Sequence, residues 1–358
     1  MKKLITSFIF AIIAIVGTTS YAMQYLASGS SDGTTKIWDM KSNTCIATMK
    51  QDGEIKSVAC NPFDHNIVAS ASSRHEIKIW NIKFQTCTAT LQGHKKRVNS
   101  VAFSPCDKNI IASGSYDKTV KIWDISKPKG QECVATLQGH TKPVLSVTCS
   151  PFDENIIASA SWDKTIKIWN TKSQACLATL QNHTKLVLSV TYSPFDKNII
   201  ASGSWDGTVK IWDTSKPSGQ ECVATLQGRN DCVNSVAFSP FDKNIIASAS
   251  LDDTVKIWDI SKPKGEKSIK ALRRDNHQTS VAFSPFNKNI IAVAFLTHRI
   301  KILNIKTDSL IEFLRGHEGC VNSVAFSPKL HTFEKNLYNK VKKKHYIDVK
   351  IITEESTK

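Results

Sequence analysis

Residues 137–170, LQGHTKPVLSVTCSPFDENIIASASWDKTIKIWN, decide the fold. Three short runs rich in β-branched residues are separated there by Ser-Pro-Phe-Asp and by Ser-Trp-Asp-Lys. Short apolar runs bounded by Asp, Asn, Pro and Gly read as strands joined by tight turns. The stretch recurs. Aligned copies end at Trp38-Asp39, Trp80-Asn81, Trp123-Asp124, Trp169-Asn170, Trp212-Asp213, Trp258-Asp259 and Leu303-Asn304, at spacings of 42, 43, 46, 43, 46 and 45 residues. A period of this length carrying G-H and W-D dipeptides reads as one propeller blade per copy.

In the third copy, residues 98–103, 110–115, 120–123 and 133–137 read as four strands, with a tight turn at Tyr116-Asp117-Lys118. A lone four-stranded meander cannot bury both faces. Blades stacked around an axis bury one another's faces and leave only short edges. The predicted fold is all-β, a seven-bladed β-propeller of four-stranded antiparallel blades. The terminal copies are each incomplete. Tyr25-Leu26-Ala27-Ser28 aligns with the second strand of a blade, and residues 320–327, after Gly316-His317, form a first strand that no second strand follows. Joining residues 25–50 with 320–327 makes the first blade whole, closed by the C-terminal strand. It also removes an open edge.

Residues 137–170 and 193–213 (SPFDKNIIASGSWDGTVKIWD) resemble repeats of the WD40 family, and the resemblance runs over roughly residues 25–328. It implies a buried hydrogen-bond chain of His, Ser, Asp and Trp in each blade. A buried carboxylate and a buried indole N–H must each find a partner. Carried onto this chain, the sets are His94, Ser113, Asp117 and Trp123; His140, Ser159, Asp163 and Trp169; His183, Ser202, Asp206 and Trp212; and, across the closure, His317, Ser28, Asp32 and Trp38. The Ser four residues before the Asp is chosen because a hairpin centred near the Asp should set it opposite the Trp. The trio of His, Ser and Asp is not read as a catalytic triad, since no G-x-S-x-G elbow is present. The sixth copy keeps Ser248, Asp252 and Trp258 but has Arg229 at the His position. The second keeps Ser70 and Trp80, with Gln51 and Arg74 at the His and Asp positions. The seventh has Arg274, Val293, Thr297 and Leu303. Blades without a full network are expected to open more easily.

The chain has 358 residues and a formal net charge of +16. Lys2 and Lys3, a nearly unbroken apolar run from Leu4 to Val16, and Ser20-Tyr21-Ala22 form a secretory signal pattern over residues 1–22. The run is too short for a membrane span. Export, to a periplasm or beyond with a host cell as one destination, is therefore expected, with the propeller over 23–328 and a basic tail over 329–358. Without such a signal the chain would be cytoplasmic. The ten cysteines argue against disulfides. Cys45, Cys87, Cys133, Cys176 and Cys222 recur on the outer strand. Strands spaced at about 4.8 Å put neighbouring rims roughly 15–20 Å apart, too far for a disulfide. These five read as small buried hydrophobes, and no C-x-x-C points to zinc.

In this fold the turns between second and third strands share one face with the channel mouth. The residue before each turn Asp reads, around the ring, Ser31, Ser73, Tyr116, Trp162, Trp205, Leu251 and Leu296. Three consecutive blades thus offer large aromatics. Arg97, Leu145, Leu186 and Leu188 stand near them, with Lys95, Lys96, Lys142 and Lys185 around. Clustered Trp, Tyr and Arg are what binding hot spots use. The expected function is a non-enzymatic scaffold that binds a peptide or protein segment there, as a monomer, with no cofactor and no metal. The alternatives are a resident periplasmic propeller supporting envelope transport or assembly, and nucleic-acid or anionic-surface binding, with nucleic acid the weaker. Lys36, Lys78, Lys121, Lys167, Lys210, Lys256 and Lys301 read as a solvated face.

Overall fold

The computed structural model describes residues 24–227, 231–263, 268–273 and 277–328. The expected signal segment, the tail from 329, Arg229 and Arg274 lie outside these residues. No helix of the described residues is long and apolar enough to cross a membrane.

Seven four-stranded antiparallel sheets form the molecule. The third blade comprises Val98–Phe103, Ile110–Ser115, Val120–Asp124 and Cys133–Leu137. Six blades run in chain order from the innermost strand outward. In the first, the C-terminal strand Val321–Phe326 pairs with Tyr25–Ser30, which leads to Thr34–Asp39 and Thr44–Lys50. The closure register sets Leu26 against Phe326 and Ser28 against Val324, and Ser327 Oγ accepts the Tyr25 N–H at 3.1 Å. Each second strand is buried on both sides because it meets a neighbouring blade on either face, which is why its residues, Tyr25 and Phe295 apart, are small or aliphatic. Ile-Ile-Ala-Ser-Ala-Ser at 156–161, for example, is buried from Ile157 onward.

The innermost strands are stitched together by a belt of serines. Ser57 Oγ accepts the Val101 N–H, Ser100 that of Val147, Ser146 that of Val190, Ser189 that of Val236, Ser235 that of Val281, Ser280 that of Val324, and Ser323 that of Val58, at 3.1–3.3 Å. The last bond joins the two ends of the ring. A Ser-Val pair at the same place in all seven copies, the divergent seventh included, is the sequence signal for this belt.

Three expectations need correction. The recurring cysteines are not buried. Cys45, Cys87, Cys133 and Cys176 are exposed and Cys222 is half-buried, because the fourth strand is a sheet edge with no blade beyond it. All ten cysteines are free. The recurring lysines are not a solvated face either. They are half-buried, and Lys210 is only 7% exposed. Lys36, Lys121, Lys167 and Lys210 donate to Thr48, Thr136, Thr179 and Thr225 of the outer strand, while Lys78, Lys256 and Lys301 lie over aromatic rings. A long stem that covers apolar surface while its ammonium finds a polar tip explains this placement. Finally, the tetrad Ser does not face the Trp. Ser113 pairs with Lys121, and Trp123 with Ile111. The indole reaches the Ser diagonally along the same face.

Candidate functional site

Four blades carry the same buried relay. In the fourth, the Trp169 Nε1–H donates to Ser159 Oγ at 2.8 Å, Ser159 Oγ lies 2.8 Å from His140 Nε2, and His140 Nδ1 lies 2.7 Å from Asp163. The third and fifth blades repeat it with His94, Ser113, Asp117, Trp123 and with His183, Ser202, Asp206, Trp212. The first blade assembles it across the closure, with Ser28 Oγ 2.7 Å from His317 Nε2 and His317 Nδ1 3.1 Å from Asp32. Gly139 makes room for the relay. Its φ of +150° suits glycine, and a Cβ there would come within 3.2 Å of the Trp169 ring.

Donors and acceptors fit one assignment. The imidazole Nδ1–H donates to the carboxylate, the Ser hydroxyl donates to Nε2, and the Ser oxygen accepts the indole N–H. Desolvation pushes His94 and His183 below the usual histidine range and His317 down to about 4, against the pull of their Asp partners. Burial alone would raise Asp32, Asp117, Asp163 and Asp206. Their hydrogen bonds outweigh it and hold all four well below the usual carboxylate range. The order Ser, His, Asp is that of a hydrolytic triad, but the chemistry is closed off. Ser159 is 0% exposed and its oxygen is already occupied by Trp169. A nucleophile must reach a substrate carbon, and this one cannot. The relay is structural.

The other blades solve the same problem differently. In the second, the Trp80 Nε1–H donates to Ser70, Ser70 donates to Gln51 Oε1 at 2.6 Å, and Gln51 Nε2 donates to Glu76 Oε1 at 3.3 Å. Glu76 stands where blades one and three to six carry Thr34, Thr119, Thr165, Thr208 and Thr254. It supplies the carboxylate that Arg74 cannot. Only its position two residues beyond the turn could have signalled this. The sixth blade keeps the Trp258-to-Ser248 bond and holds Asp252 through Thr254. The seventh fills the spot with Val293, Phe295 and Leu303, each 0% exposed.

The turns lie at the channel mouth. The N–H of the residue before each turn Asp, or before Arg74 and Thr297 in blades two and seven, donates to the carbonyl that opens the innermost strand. Tyr116 bonds to Arg97, Trp162 to Pro143, Trp205 to Leu186, Leu251 to Cys232, Leu296 to His277, Ser31 to Cys320 and Ser73 to Glu54. Trp162 and Trp205 are 42% and 48% exposed. The Arg97 guanidinium lies 4.3 Å from the Tyr116 ring centre, and Tyr116 meets Trp162 edge-on at 5.9 Å. Arg97, Tyr116 and Trp162 thus form a continuous stack across two blades, with the Lys96 ammonium 5.9 Å from the Tyr116 ring. Leu145, Leu186 and Leu188, where the innermost strands of blades four and five begin, are half-buried, and Lys95, Lys142 and Lys185 ahead of the innermost strands of blades three to five are exposed. Among the described residues, no group of three or more His, Cys, Asp or Glu side chains is placed to hold a metal ion.

Comparison with known proteins agrees with this geometry. The chain matches the family described as WD domain, G-beta repeat (WD40) over residues 15–39, 43–81, 85–124, 131–170, 174–213, 220–259 and 308–333. The matched segments pass over 260–307, which hold most of the apolar seventh blade. A curated relative, the ribosome biogenesis protein BOP1 of Rattus norvegicus, is 46% identical over 39 residues, which is 11% of this chain and 5% of that protein. That likeness is about one repeat long and says nothing of the rest of that protein. Matched repeats over more than half of the sequence, folded into seven closed four-stranded blades, make this chain a member of the WD40 repeat family.

Proposed function

We propose that this propeller is a non-enzymatic scaffold that captures a peptide or protein segment on its channel-mouth face, over blades three to five. WD40 propellers are typically protein-interaction scaffolds. The observation that carries the finer reading is the stack of Arg97, Tyr116 and Trp162 beside the exposed Trp205. Monomeric proteins seldom leave two large indoles on one rim without a use for them. Arg97 already packs over Tyr116 in the free propeller, an arrangement that lowers the side-chain entropy lost on binding. The ring of Lys95, Lys96, Lys142 and Lys185 favours a partner with acidic residues. In a pull-down, Trp162→Ala/Trp205→Ala should abolish capture and leave the melting temperature within a few degrees of wild type. Undiminished capture by the double variant would sink the proposal.

We also propose that the chain is exported and acts where thiols stay reduced. Ten free cysteines, several of them exposed, suit such a compartment. N-terminal sequencing of the protein recovered from its native cells should begin at Met23. A sequence beginning at Met1 would refute export by cleavage.

A further inference from the structure

We propose that the segment captured by this face is acidic and seats one apolar side chain in the channel mouth, against Leu145 and Leu188. The inference rests on the reading of blades three to five as the binding face.

The innermost strands break register at their second residue, which bulges out of the ladder. In four blades that residue is polar and donates to a carbonyl of the next blade. Asn99 reaches Val144 O at 2.7 Å, Asn234 reaches Gln278 O at 2.7 Å, Thr279 reaches Val321 O at 2.5 Å, and Asn322 reaches Ile55 O at 2.8 Å. The position therefore directs its side chain along the inner wall towards the neighbouring blade. Blade two carries Lys56 there, whose ammonium turns to Glu54 of its own blade, and blades four and five carry Leu145 and Leu188, which have no group to donate. Blades four and five are the two that set an apolar side chain at a place otherwise polar, and such a departure in adjacent copies marks a demand other than packing.

These two blades are also those that expose Trp162 and Trp205. The Trp162 N–H is held by Pro143, two residues before Leu145, and the Trp205 N–H by Leu186, two residues before Leu188. The two indoles and the two leucines thus stem from the same turn-to-strand junctions, so blades four and five offer apolar side chains at both. Charge selects the sector. Lys95, Lys96, Arg97, Lys142 and Lys185 are exposed on blades three to five, whereas blades one and two expose a mixture, Asp52, Glu54 and Glu318 together with Arg74, and Glu54 is paired with Lys56. There the cleft of about 450 Å³ is lined by polar and charged side chains, Asp32 and Arg74 among them. An acidic segment is drawn to the cationic blades in preference to the sector of mixed charge. A phosphate backbone would satisfy the cations but has no apolar group for the leucines.

Fluorescence anisotropy on the full chain tests this with labelled peptides of about twelve residues, rich in Asp and Glu, carrying a central Leu, Phe or Ser. The comparison probes are the Leu peptide with Lys in place of its acids, and a single-stranded oligonucleotide. The wild type should bind the Leu and Phe peptides at least about tenfold tighter than the Ser peptide and should lose affinity for the Lys-bearing one. Leu145→Asn/Leu188→Asn installs the residue that blades three and six already accommodate, so the ring should fold, and the preference for Leu over Ser should vanish. If that variant keeps the preference while Trp162→Ala/Trp205→Ala loses binding, the leucine seat is wrong and the face stands. If wild type and both variants bind alike, both readings fall. Tighter binding of the oligonucleotide, or no Leu preference in the wild type, overturns the inference.

Discussion

Blades four and seven share a backbone and differ in what they bury. Their registers coincide, Ser159 opposite Lys167 and Val293 opposite Lys301. In blade four a hydrogen-bond chain of four side chains fills the space between strands and leaves no donor idle. In blade seven Val293, Phe295 and Leu303 fill it with carbon, and the Lys301 ammonium sits 4.7 Å over the Phe295 ring. Either solution is complete. The costly state is the one between, a buried hydroxyl or indole N–H with half its partners. Blade two, with its relay rebuilt through Gln51 and Glu76, is a third complete solution. The premise on which blades two and seven would open easily, an empty network, is therefore missing. Hydrogen exchange should find their second strands protected to within about tenfold of blade four's.

The comparison breaks most severely when a strand is removed. Deleting residues 316–328 takes His317, the innermost strand of blade one and two links of the serine belt. The loss should exceed about 5 kcal/mol, the scale of a whole domain's stability, and abolish the cooperative melting transition. Deleting 335–358 should shift the melting temperature by only a few degrees.

Acid comes next, because it acts on blades that hold a buried histidine and spares those that do not. A histidine held neutral by burial binds its proton later than in the unfolded chain. Its contribution is fully present above the unfolded value of 6.5 and is lost as pH falls towards the folded value, about 4 for His317. That shift is worth on the order of 3 kcal/mol, with His94 and His183 adding in the same direction. Denaturant midpoints should drop between pH 6.5 and 4.5. Exchange should rise least in blades two and seven, whose buried fillings hold no histidine.

A smaller effect follows from making blade seven incomplete. Val293→Ser buries a hydroxyl beside Leu303, with no indole to serve and no histidine to receive it. The cost should be about 1–3 kcal/mol by urea denaturation. The conservative Val293→Ala should cost less than the hydroxyl does if the argument from completeness is right.

Much of this was legible in the sequence. The third copy's strands 98–103, 110–115 and 133–137 fall where the runs of Val, Ile and Cys set them, and the incomplete terminal copies pointed to the closure strand. The relay residues His140, Ser159, Asp163 and Trp169 do meet. What stayed hidden depends on neighbours that a repeat pattern does not show. Cys133 and Lys121 recur at fixed positions, yet recurrence does not tell a sheet edge from a packed strand, and one proved exposed and the other half-buried. The partner of Gln51 could not be read from the His, Ser, Asp and Trp positions, because Glu76 occupies none of them. At the candidate face, the sequence set Tyr116, Trp162 and Trp205 on one rim. The stack on Arg97, and the bond that Leu145 and Leu188 forgo, needed coordinates.

The smallest expected effect is the most discriminating. Gln51→His, Arg74→Asp and Glu76→Thr together rewrite blade two's relay into blade three's, where burial lowers the pKa of His94. Both relays pass hydrogen bonds in the same sense, from indole to Ser to the third side chain to a carboxylate. If completeness is what matters, stability at pH 7 should change by less than about 1 kcal/mol, within the usual spread for isolated substitutions. The identity of the third side chain should then show only in acid. Gln51 does not titrate, whereas a histidine buried there would lose its contribution between pH 6.5 and 4.5. Exchange of the Trp80 indole proton reads both. It should be as slow in the triple variant as in wild type at pH 7 and several-fold faster at pH 4.5. A large loss already at pH 7 would mean that Gln51 and Glu76 are tuned to their own blade and are not an equivalent of the histidine relay.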